Sequence, residues 1–89
     1  MKYVLFYAAA PDAPRTAPAH FPAHQVLLDE FHGRGDLLMV GTFTDLVGRG
    51  AMAIFTNAEA AEEFAARDPF VAHGVVASHE VCEWNEVLA

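Results

Sequence analysis

Imidazole is the side chain best suited to moving protons near neutral pH, and this chain carries five, at His20, His24, His32, His73 and His79. His20 and His24 stand four apart, a spacing that on one helix would align two rings on a metal. Pro22 lies between them and biases Phe21 away from the α region, which puts His20 just ahead of a helix. No third ligand follows at a familiar spacing, although Asp68 or His79 could approach through the fold, so no metal is expected. His32 falls in the last turn of that helix and His73 beside Gly74, where a ring complements the negative helix end. His79 shares a strand face with Val75, Ala77 and Val81 and reads as a core or interface histidine.

His24 differs from the others. It shares a stripe with Leu27, Leu28 and Phe31, so its ring turns toward the interior, where a polar group must meet it. That group is either a backbone carbonyl, which makes His24 a satisfied core residue, or a side chain with a chemical role. Asp68 stands before Pro69, the pattern of a helix cap followed by a first helical residue. A capping carboxylate keeps a second oxygen that can hold an imidazole, so the capping and chemical readings are compatible. The other residues are less promising. Cys82, the lone cysteine, excludes an intrachain disulfide and reads as an inert, half-buried thiol. No GxGxxG, GxxxxGK[ST], CxxC or HExxH motif occurs, and no cofactor is expected.

The elements that must hold these residues follow from pattern. Residues 2–8 are β-branched and aromatic and predict a strand; three prolines in 9–18 predict a loop. A helix is predicted over 22–32, with Gly33 and Gly35 as stop signals. Strands are predicted at 36–43 and 50–56, joined by a hairpin connection. Thr56 and Glu59 fit a capping box that opens a helix over 57–66. Asp68-Pro69 starts a short turn to His73, and 75–84 closes the chain as a strand. The order βαββαβ predicts an α+β, ferredoxin-like fold: a four-stranded antiparallel sheet with both helices on one face. Strand one is apolar on both sides, which leaves an open face to cover. A homodimer through the open sheet face is the expected solution.

Composition narrows the classes. Eighty-nine residues make one domain spanning 1–89, and 54% hydrophobic with 19% charged residues excludes disorder. Twelve acidic against five basic residues, a net charge of −7, argues against nucleic acid and anionic membrane surfaces. No apolar run approaches the ~20 residues of a membrane helix. Met1-Lys2 leads straight into Tyr3-Val4-Leu5-Phe6-Tyr7 without a signal-peptide cleavage site, so a cytoplasmic protein is expected. A mean hydropathy of +0.22 is high for so short a chain and again suggests that apolar surface meets another subunit.

Five stretches carry a resemblance. Tyr3-Val4-Leu5-Phe6-Tyr7, the Arg15…His20…Ala23-His24 segment, Gly35-Asp36-Leu37-Leu38-Met39-Val40-Gly41, Asp68-Pro69-Phe70 and Glu83-Trp84-Asn85 occur in order across nearly the whole chain. Together they resemble the YciI-like (YCII-related) family. The resemblance implies a dimeric ferredoxin-like fold of the dimeric α/β-barrel type. It also implies that His24 and Asp68 pair as a dyad lining a pocket between helices and sheet. The sequence departs from the family pattern at Thr42, where proline often follows the glycine, and in having no arginine closer to His24 than Arg15.

Two functions are compatible with this reading. In the first, His24 is a general base and Asp68 orients its ring, in a cofactor-free elimination or isomerisation of a small cyclic or aromatic organic acid or phenol. His20, His79 and Ser78 are the polar residues expected to bind that substrate. In the second, the protein is a non-catalytic, dimeric ligand-binding or accessory module, and the pair only satisfies buried polarity.

Overall fold

In a computed structural model that describes all 89 residues, β1 (Lys2–Ala9) lies inside a sheet ordered β2-β3-β1-β4. Its partners are β3 (Ala51–Phe55) and β4 (Val76–Trp84), and β2 (Leu37–Thr42) pairs with β3; every pairing is antiparallel. An inner strand is flanked by backbone on both edges and can carry apolar residues on both faces, as the sequence of β1 does. The helices are α1 (Ala13–Gly33), α2 (Leu46–Arg49), α3 (Ala58–Arg67) and α4 (Pro69–Ala72). The architecture is the expected α+β ferredoxin-like order; α4 is the short turn expected after Asp68, and the single turn α2 between β2 and β3 is added.

Alternation along β1 sends Leu5 and Tyr7 under the helices, where they join Leu37, Ala53, Phe55, Leu27, Phe31 and Phe64 in the core. Phe31 is fully buried and stands edge-on to Phe64, with ring centroids 5.2 Å apart and planes at 88°. The opposite parity puts Val4 and Phe6 on the open face, level with Ile54, Cys82, Met52 and Glu80.

Helix α1 begins at Ala13, so residues 13–18, expected to be loop, are helical. Pro14 sits in the first turn, where its missing N–H costs nothing. Pro18 and Pro22 lie inside the helix and cannot bond the carbonyls four residues earlier. All three prolines are exposed. The other side of the helix, through Ala13, Ala17, Phe21 and His24, faces a cavity between helix and sheet, and the helix is held by the burial of Ala13, His24, Leu27 and Phe31. A second correction concerns α3. Its cap is Asn57, whose side chain accepts from the Ala60 N–H at 2.8 Å, not Thr56. The Thr56 N–H is still committed to the Asp36 carbonyl, as a continuation of the strand pairing, so the cap falls one residue later.

The connection between β2 and β3 closes on Gly50. Its φ of +78° lies in the left-handed region, and a Cβ there would collide with the Tyr7 carbonyl oxygen. Gly50→Ala is therefore expected to cost about 2 kcal/mol or more and lower Tm by roughly 10 °C. An unchanged thermal melt would mean that this close approach to β1 is absent.

Candidate active site

Asp68 is the origin of the site, and local sequence explains its position. Arg67 ends α3, and Pro69 opens α4; Asp68 between them is extended at φ −71°, ψ 121°. Its Oδ1 accepts from the Phe70 N–H at 3.0 Å and so caps α4. The carboxylate is wholly buried. Two further donors reach it from distant elements: His24 Nδ1 of α1 lies 2.8 Å from Oδ1, and the Tyr7 hydroxyl of β1 donates to Oδ2 at 2.7 Å. An ionised carboxylate is the form able to accept from all three.

This contact fixes the tautomer of His24. A carboxylate only accepts, so Nδ1 must carry hydrogen, and neutral imidazole then has its lone pair on Nε2. The ring is clamped face to face against Phe70, with centroids 4.0 Å apart and planes at 12°, and edge-on to Phe64. The hydrogen bond of the ring is made through Nδ1 and the residue lines a cavity, which leaves Nε2 to a ligand. His24 sits within α1 rather than in its first turn, because the helix starts earlier than the prolines suggested.

Tyr7 is the residue that sequence reasoning missed. Burial first, then the hydrogen bond to Asp68 and its negative charge, push the Tyr7 hydroxyl far above the usual tyrosine range. It therefore stays a donor throughout the pH range of a folded protein and positions the carboxylate from the side opposite His24. The inward parity of Tyr7 in β1 was a signal for its burial. Nothing in sequence linked it to Asp68, 61 positions away.

Above this trio lies a cavity of about 450 Å³ between α1 and the sheet, within the usual range for small-molecule sites. Leu5, Leu28, Ala53, Phe64 and Val76 line it, and His24 and Thr42 are among its few polar residues. The three residues expected to bind substrate are elsewhere. His20 lies inside α1 and stacks on His73 with centroids 4.1 Å apart. Ser78 and His79 line a separate, shallow concavity with Arg49, on the side of β1 that faces the β4 edge. His79 is exposed, not a core residue, on the edge strand β4; it stands edge-on to Tyr7 at 6.3 Å. No group of three His, Cys, Asp or Glu side chains is placed to hold a metal ion.

The family model of the YCII-related domain matches residues 1–85. The chain belongs to that family. A search of curated proteins finds no match to this YCII-related domain. Among solved structures it is similar to 5-chloro-2-hydroxyhydroquinone dehydrochlorinase (TftG) from Burkholderia phenoliruptrix AC1100, in complex with 2,5-dihydroxybenzoquinone. The two share 20% identity at a TM-score of 0.72, over 96% of this chain and 94% of that one, a likeness of fold. No helix of the YCII-related chain is long and apolar enough to cross a membrane.

Proposed function

We propose that this YCII-related domain is a small enzyme in which His24, oriented by Asp68, is the general base toward a small cyclic or aromatic substrate. One observation carries the reading: Nδ1 is held by a buried carboxylate at 2.8 Å, while the same ring lines an apolar cavity. The proton passes from substrate to Nε2, and Asp68 offsets the charge of the imidazolium. The bonding pair moves into the conjugated system. In an elimination a leaving group departs with its own pair; in an isomerisation the proton returns at another atom. Neither outcome requires an electron carrier. The named substrate and bound quinone of the dehydrochlorinase with the same fold support a ring-shaped substrate class.

A base of this kind catalyses exchange of an acidic C–H with solvent. Incubation with conjugated cyclic carbon acids in deuterated water should give deuterium incorporation by the wild type and none by His24→Gln. A specific observation favours a second reading, that of a binding module: Asp68 also caps α4, which gives the carboxylate a structural reason to be there. Equal incorporation by both proteins would select that reading.

The working unit is a homodimer through the open sheet face. Phe6, Met39 and Trp84 are exposed on the side of the sheet away from the helices, an apolar patch of the kind that marks an interface. The free thiol of Cys82 and the acid-rich surface suit a cytoplasmic location. Sedimentation at micromolar concentration should give twice the chain mass, and Phe6→Glu should give the monomer. A wild type that sediments as a monomer would contradict this assembly.

A further inference from the structure

We infer that the cavity beside His24 accepts an uncharged, single-ring molecule, rejects carboxylates and other fixed anions, and uses Thr42 as its second polar anchor. This rests on the His24 cavity named above as the substrate site, but it concerns binding and does not require turnover.

The wall decides the charge. No lysine, arginine, aspartate or glutamate lines the cavity. Four of the five cationic side chains are engaged in surface ion pairs: Lys2 with Glu86, Arg15 with Asp12, Arg34 with Asp36 and Glu63, and Arg67 with Glu30 and Glu63. The fifth, Arg49, borders the shallow concavity of Ser78 and His79 instead. A carboxylate that entered would shed its water with no cation to replace it, in a chain already carrying −7. An aromatic ring meets no such penalty, since Phe21, Phe64 and Phe70 offer faces and edges to stack against.

The same wall limits what can be deprotonated. The only positive charge available after proton transfer is the imidazolium of His24 itself. Negative charge left on the substrate must therefore spread through its own conjugation, as in a phenol, a hydroquinone or a carbon acid beside a conjugated carbonyl. A volume of about 450 Å³ fits one ring with small substituents.

Thr42 completes the recognition. Tyr7 also borders the cavity, but its hydroxyl is committed to Asp68. That leaves His24 Nε2 and the Thr42 hydroxyl, the latter at the end of β2, as the side-chain polar groups able to meet a ligand. A ring with two hydroxyl groups carries a partner for each, whereas a ring with one carries a partner for His24 alone.

The test is a methyl-detected NMR titration of the full-length protein at pH 7 with three probes of similar size: 4-methylphenol, hydroquinone and 4-hydroxybenzoate. Each offers the same phenolic O–H, and only the last adds a fixed charge. Both neutral probes should shift the methyl signals of Leu28 and Val76 and bind at least ~10-fold more tightly than 4-hydroxybenzoate. Thr42→Val should weaken hydroquinone about 2- to 10-fold and leave 4-methylphenol within about twofold. Equal or tighter binding of 4-hydroxybenzoate overturns the inference, as does failure of both neutral probes to move those methyls. Hydroquinone affinity unchanged in Thr42→Val overturns the role of Thr42. A protein that binds the neutral phenols as stated but shows no base activity leaves this inference standing while the catalytic proposal fails.

Discussion

Asp68→Ala should unfold this domain far more readily than any surface substitution, with a loss of about 3–5 kcal/mol and a fall in Tm of roughly 15–30 °C. The carboxylate is fully buried and receives three donors, from His24, Tyr7 and Phe70. Removing it leaves the Tyr7 hydroxyl and the Phe70 N–H without a partner in the interior. The lost cap alone is worth about 0.5–2 kcal/mol, and each orphaned donor adds its own desolvation cost. Asp68→Asn separates these contributions. The amide oxygen can still accept from His24 Nδ1 and the Phe70 N–H, and the amide N–H₂ can donate to Tyr7 if that hydroxyl turns. Its stability loss should be less than half that of the alanine variant. Its activity should still fall to a remnant, because a neutral amide orients the ring but does not offset an imidazolium. Urea unfolding of the two variants beside the wild type checks this directly. An alanine variant within about 0.5 kcal/mol of wild type would mean that the three hydrogen bonds are not made in solution.

Most of the fold was legible because it rests on short-range pattern. Alternation and β-branching marked the four strands, and the brief connection between β2 and β3 forced an antiparallel pair. The first half of α1 was not legible, for a physical reason. Pro18 and Pro22 each oppose helix locally, and local preference was outweighed by burial of Ala13, His24, Leu27 and Phe31 along the same helix. The signal was nevertheless present: Ala13, Ala17, Phe21, His24 and Leu28 recur at helical spacing, and these residues wall the cavity. Reading them as one face would have placed His20 inside the helix too.

The site was legible in part, and the division again follows sequence distance. Asp68 as a cap was visible from its neighbour Pro69, and His24 as an inward imidazole from its stripe. Their meeting across 44 positions was implied by the family resemblance, not by spacing. Tyr7 escaped notice because a tyrosine in an apolar strand looks like any other core aromatic. Its hydroxyl acquires meaning only when the chain return brings Asp68 beneath it. Ser78 and His79 were placed at the site by polarity alone, and the pairing of β4 with β1 carries them to another concavity.

His24→Gln should abolish turnover while leaving the fold nearly intact. Glutamine is close to histidine in length and can offer an amide N–H to Asp68, so the buried carboxylate keeps a donor. The stacking on Phe70 is lost, which should cost no more than about 1–2 kcal/mol. What cannot be replaced is the basic Nε2, since an amide does not take up a proton near neutral pH. A positioned general base contributes about 10²–10⁴-fold to rate. The most direct test of the account is therefore kcat/KM of His24→Gln against wild type on a substrate that the wild type turns over, with thermal melts run in parallel. A fall of about 10²-fold or more with Tm preserved is the predicted result. Wild-type kcat/KM in the folded variant would contradict the assignment of His24 as the base.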